Sequence, residues 1–112
     1  MKQSEVWLID LDPTKGAEIQ KTRPAVIVND DSLGKLPLRI IVPITDWKNH
    51  YTVAPWMVKI TPDAINGLSK TSTADCFQLG SVSHVRLIKK LGEIDTLTFS
   101  EIKEALRQVM DL

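Results

Sequence analysis

Only one cysteine, Cys76, occurs in the 112 residues, which excludes an internal disulfide. It lies beside Phe77 in an apolar context and reads as a small buried hydrophobe in preference to a catalytic thiol. There are two histidines, His50 and His84, and neither has a His, Cys or carboxylate at metal-ligand spacing. Asp10 and Asp12 share one strand face, but Asp12 precedes Pro13 in an expected turn and further convergent carboxylates are missing, so no metal is expected. No glycine belongs to a Walker-type loop, a dinucleotide loop or a Gly-x-Ser-x-Gly elbow, and no cofactor is expected. No apolar run approaches the roughly 20 residues that cross a bilayer. The start, MKQSEVWLIDLD, reaches acidic residues before any apolar stretch of signal-peptide length, which leads to a cytoplasmic expectation with no membrane partner. An excess of charge is also missing: 14 Lys and Arg balance 14 Asp and Glu, with a pI near 6.7. That counts against a strong nonspecific binder of nucleic acid and leaves room for a local basic cleft.

What is present reads as one domain over residues 1–112, with a small core that dimerisation would enlarge. Strands are expected over 5–10 (EVWLID), 23–29 (RPAVIVN), 38–44 (LRIIVPI), 56–60 (WMVKI), within 70–79 (KTSTADCFQL) and over 87–94 (LIKKLGEI). Pro43 belongs at a bulge, an edge or a strand end, since it donates nothing to a ladder. Residues 46–55 form a polar-aromatic loop, Asn66-Gly67 a turn, and 81–86 a single helical turn. Ile102, Ala105, Leu106 and Val109 recur at helical spacing, with Thr98 and Glu101 as a capping box and Leu97 stapled onto Ile102. The fold class is therefore mainly β with a helix: a small, strongly bent antiparallel barrel carrying a C-terminal helix.

The stretch from Asp10 to Thr45 carries the chemistry. A polar loop with Glu18, Lys21 and Thr22 runs into Arg23-Pro24, and an apolar run follows at once. A guanidinium cannot be desolvated cheaply without a partner, so Arg23 belongs at a strand mouth, its head reaching a cleft. Thr45 leaves the next run just after Pro43. Two strand ends thus gather an arginine, a hydroxyl and a nearby carboxylate, which suits a phosphodiester: a fixed cation, a donor and a group able to move protons. The competing reading of Arg23 is a strand-end ion pair with Asp10, Asp12 or Glu18. On the residues alone the favoured reading of Thr45 is a strand end with its hydroxyl on backbone, and Glu18 is by default a solvated loop residue.

The order DLDPTKGAE, TRPAVIV, VPIT and FQLGSVS resembles the MazF/PemK (Kid) family of toxins over nearly the whole chain. The resemblance implies an SH3-like barrel of the CcdB/MazF type, a homodimer, and a sequence-selective, metal-independent endoribonuclease of single-stranded RNA. It also implies restraint by a cognate antitoxin, for which an acidic, partly disordered segment is the expected form. On the family's motifs the principal catalytic arginine falls on Arg23, the threonine that contacts the scissile phosphate on Thr45, and a catalytic or supporting glutamate on Glu18. Gln78 and Ser81 fall near the RNA groove, and Asp75, Cys76 and Phe77 stand where some members carry an arginine and an aspartate. That departure leaves Arg23 a larger share of the work, and its part is electrostatic, because a guanidinium with a pKa above about 12 is a poor acid.

Lys15, Lys21 and Lys48 supply nearby positive charge, and Trp47, Lys48, His50 and Tyr51 form a loop of the kind that stacks and contacts single-stranded bases. Two other classes stay open at this point: a CcdB-type toxin that poisons DNA gyrase on the same fold, and a non-catalytic SH3-like binding module.

Overall fold

Both faces of the central strands are buried, and this explains the two near-continuous apolar runs. The computed structural model describes residues 1–10 and 22–112. Among them the chain forms β1 (Glu5–Asp10), β2 (Thr22–Ile27), β3 (Leu38–Asp46), β4 (Met57–Ile60), β5 (Ser72–Asp75), β6 (Gly80–Ser83), β7 (Leu87–Glu93) and α1 (Thr96–Met110). The sheet is antiparallel in the order β4-β5-β3-β2-β1-β7, with β6 also on β3. The nine-residue β3 is the spine: its first half pairs with β6 and its last three residues with β5, while β2 lies along its other side. A single 3-10 turn, His84–Arg86, then carries the chain from β6 to β7 and brings the sheet round on itself.

Alternation along the strands sorts the apolar residues into two cores. The even-numbered face holds Val6, Val26, Val42 and Ile44, which pack with Ala74, Cys76 and the buried Phe99, Ile102 and Ala105 of α1. The odd-numbered face holds Ile9, Ala25, Ile27 and Ile41 with Leu87, inside the curl of the sheet. The mainly-β architecture with a C-terminal helix is the one expected, and the expected helix face is the buried one.

Local expectations differ in two places, the helix cap and residues 80–83. The helix begins at Thr96, and its N-cap is Asp95, whose side chain accepts from Thr98 N at 2.7 Å; Thr98 is inside the first turn and does not cap it. Consequently the residues in staple positions are Ile94 and Phe99, both core, while Leu97 is exposed. Residues 80–83 are strand, because β3 offers them a partner, and only 84–86 make a helical turn. Within 70–79 the strand stops at Asp75, where the aspartate caps a 3-10 turn, Cys76–Gln78.

Gly67 closes the β4–β5 connection at φ 72°, and a Cβ there would stand 2.1 Å from the Leu91 carbonyl oxygen, so neither the dihedral nor the space admits another residue.

Candidate functional site

Two prolines end one ladder and create the site. The last β2–β3 pair is Ala25 with Pro43. Continuing that register by two residues sets Arg23 opposite Thr45, beyond the point where Pro24 and Pro43 have no N–H to give. On its other side β3 changes partner from β6, ending at Ile41, to β5, starting at Ile44, and Pro43 falls in that interval. The strands part there, and Arg23 Nη1 donates to Thr45 Oγ1 at 3.2 Å. Among the described residues no carboxylate lies within ion-pair distance of Arg23; of the acids considered as its partners, Asp12 and Glu18 lie outside the described residues.

The pair stands on the wall of a cleft of about 280 Å³ that Tyr51, Asp75 and Gln78 also line. Tyr51 comes from a 3-10 turn, Asn49–Val53, in the polar-aromatic loop. Asp75 is 7% exposed. Its carboxylate accepts from Phe77 N at 3.2 Å and from Gln78 Nε2 at 2.8 Å, which caps the turn and fixes the glutamine side chain at the cleft. A guanidinium, a hydroxyl and an amide around one open cleft make a receptor for a phosphate with something attached to it.

Cys76 turns the other way, into the α1 core, with Sγ 4.0 Å from the Ile102 carbonyl. Burial, assisted by the neighbouring Asp75 charge, pushes its thiol up to about 12. It is the small hydrophobe expected and no nucleophile.

The other expected binders are placed unevenly. Gln78 lines the cleft, whereas Trp47, Lys48, His50 and Ser81 do not. Trp47 and His50 instead flank Tyr51 with edge contacts at 5.8 and 4.6 Å, and Lys59 Nζ lies 5.1 Å above the Trp47 ring, so the loop presents Tyr51 and uses its neighbours as supports. Lys48 is exposed, and Ser81 is exposed on β6 opposite Ile40. Glu18, Lys15 and Lys21 lie outside the described residues. Tyr51, expected with the aromatic loop, does line the cleft, whereas Asp75 was not expected there: its burial depends on a register with β4, Met57 opposite Asp75, that no local pattern reveals. No group of three or more His, Cys, Asp or Glu among the described residues is placed to hold a metal ion.

Comparison with known proteins points to one family. A family model described as PemK-like, MazF-like toxin of type II toxin–antitoxin system matches residues 2–110. Endoribonuclease MazF9 of Mycobacterium tuberculosis is 30% identical, with 100% of this chain and 98% of the relative covered. Endoribonuclease PemK of Escherichia coli is also 30% identical, over 98% of this chain and 82% of the relative. In solved structures the same fold appears in a MazE–MazF crystal structure from Deinococcus radiodurans, with TM-score 0.81 at 18% identity and with 100% of this chain and 96% of that chain covered.

Proposed function

Since the chain belongs to the PemK-like, MazF-like toxin family of type II toxin–antitoxin systems, we propose that it is an endoribonuclease that cuts single-stranded RNA in the Arg23–Thr45 cleft. The observation that carries this reading is the 3.2 Å bond between the two side chains at a splayed strand end, beside an open cleft. The 2′-hydroxyl attacks the adjacent phosphorus; the O2′–P bond forms, the P–O5′ bond breaks, and the hydroxyl proton is lost as the 5′-oxygen gains one. Negative charge grows on the non-bridging oxygens, where the Arg23 fork stabilises it and the Thr45 hydroxyl donates a second bond. Glu18, five residues before Arg23, supplies a carboxylate for the departing proton. The products are a 2′,3′-cyclic phosphate and a 5′-hydroxyl, with no metal ion required.

Its partners are RNA and a cognate antitoxin, whose acidic, partly disordered segment would cover a cleft built for an anion. A homodimer fits the exposed Leu33 and Leu36, just before β3, and Leu38 and Ile40 within its first half, large apolar side chains that a second copy would cover. Among the described residues no helix is long and apolar enough to cross a membrane, and we place the protein in the cytoplasm, where its messenger substrate lies.

The test is cleavage of a defined RNA oligonucleotide in excess EDTA, with end-group analysis. Cyclic-phosphate and 5′-hydroxyl ends are expected, and a substrate with a 2′-deoxy sugar at the scissile position stays intact. Equal cutting of the deoxy substrate would overturn the mechanism.

A further inference from the structure

Opposite electrostatic signs meet in the cleft, and only one of them is used by the reaction above. Arg23 and Thr45 hold the phosphate, while Asp75 adds a nearly buried carboxylate to the same 280 Å³ space. A carboxylate repels phosphate, so its place in an RNA site calls for another RNA group.

Hydrogen bonding says which. A carboxylate only accepts, with about four lone-pair positions over its two oxygens. Phe77 N takes one on Oδ1 and Gln78 Nε2 takes one on Oδ2, so acceptor capacity is left on both. The same rule fixes the glutamine: Nε2 must face Asp75, and Oε1 is turned away from it. Asp75 and Gln78 together therefore offer acceptors. Tyr51 borders the same cleft with a ring on which a base can stack.

We propose that Asp75, with the Gln78 amide it orients, reads one base next to the scissile phosphate and selects bases that carry an exocyclic amine over uracil. The inference rests on the reading of the cleft as the RNA-cleaving site. Cytosine offers its N4 amine, adenine its N6 amine, and guanine its N1–H together with its N2 amine. Uracil has one N–H set between two carbonyl oxygens, and these meet the acceptors unfavourably. The specificity comes as much from rejecting uracil as from holding the others.

The test uses Asp75→Asn, which keeps an oxygen for the Phe77 N–H and so preserves the turn cap. Asparagine Nδ2 replaces Oδ2, which turns Gln78 Oε1 inward toward it and leaves N–H donors facing the cleft. Wild-type protein and D75N are each given an RNA pool randomised around one cut site, and the product ends are sequenced. A 2′-deoxy pool containing deoxyuridine is selected for binding in parallel. Roughly tenfold or greater depletion of uracil at one flanking position is expected for wild type, and its reversal toward uracil for D75N, in both pools. Identical profiles for the two proteins overturn the proposal. So does a D75N protein with a wild-type melting curve that cuts no sequence, since Asp75 would then serve the reaction and not the choice of base. If wild type binds with the expected bias but cuts nothing, the base reading stands and the nuclease reading falls.

Discussion

Arg23 on β2 faces Thr45 on β3, joined at 3.2 Å, two residues beyond the last pair of a backbone ladder that ends at prolines on both strands. Because the arginine is already held by a neutral hydroxyl, it approaches a phosphate with its direction set and its charge unspent.

Arg23→Ala should lower single-turnover cleavage by on the order of 10²–10³, the usual loss for one charge-stabilising donor, while the fold stays intact. Arg23→Lys should recover little, because lysine keeps the charge and loses the planar fork. Thr45→Ala should cost less than either. One oligonucleotide cut by all three variants, with thermal melts alongside, decides the matter; near wild-type rates in a folded Arg23→Ala protein would return Arg23 to a structural role.

Tyr51 should act on binding more than on chemistry. Loss of a stacking ring is worth about 1–3 kcal/mol per base, so Tyr51→Ala should raise KM by roughly tenfold or more with a smaller change in kcat. Tyr51→Phe should retain most of the affinity. His50→Ala, at the flank of the tyrosine, should be milder than Tyr51→Ala. Equal KM values for Tyr51→Ala and wild type would show that no base stacks there.

Cys76, with its thiol pushed to about 12 and its sulfur in the helix-packed core, should resist iodoacetamide at neutral pH. Mass spectrometry should find the adduct only after denaturant unfolds the chain. Cys76→Ala should keep the cleavage rate. Rapid labelling of the native protein would contradict the burial.

Acid stability should report on Glu5. Burial alone would raise its carboxyl, but the Lys2 N–H, the Trp7 indole, Lys90 and the chain's N-terminus outweigh it and hold the group at about 2 against an ordinary 4.5. A depressed carboxyl stabilises the fold fully above its unfolded value, and that stabilisation disappears as pH falls from near 4.5 through about 2. Glu5→Gln should cost on the order of 1–3 kcal/mol in urea unfolding at neutral pH. The gap from wild type should narrow steadily across that acid window; a gap that does not change with pH would exclude the linkage.

Much of the molecule was legible because its signals are local. The strands at Glu5–Asp10 and Leu38–Asp46 show in β-branched content, and Ile102 and Ala105 show in helical spacing. Arg23 and Thr45 were legible for a further reason: each lies within two residues of a proline at one end of an apolar run, so the change from buried to open backbone is written in nearby residues. Where pairing at long range decides, local reading failed. Residues 80–83 look like a turn until β3 supplies a partner, Asp95 outcompetes Thr98 as cap through a carboxylate three residues earlier, and the near-burial of Asp75 at the end of β5 has no local signal. Trp47 and His50 have the right chemistry for RNA, but the 3-10 turn at Asn49–Val53 aims Tyr51 at the cleft in their stead.

The elements around the cleft divide in a way that bears on how such a protein changes over generations. Arg23 and Thr45 are set opposite each other by the register of β2 on β3, which also packs the core, so their mutual placement is tied to the core. Tyr51, Asp75 and Gln78 stand on two short 3-10 turns and a strand end outside that pair of strands. Substitutions there alter what lies beside the phosphate and leave the arginine–hydroxyl pair in place. On the proposed division of roles, a lineage with this scaffold would acquire new target sequences by exchanging residues on the turns, and each intermediate along the way would retain the pair that breaks the chain.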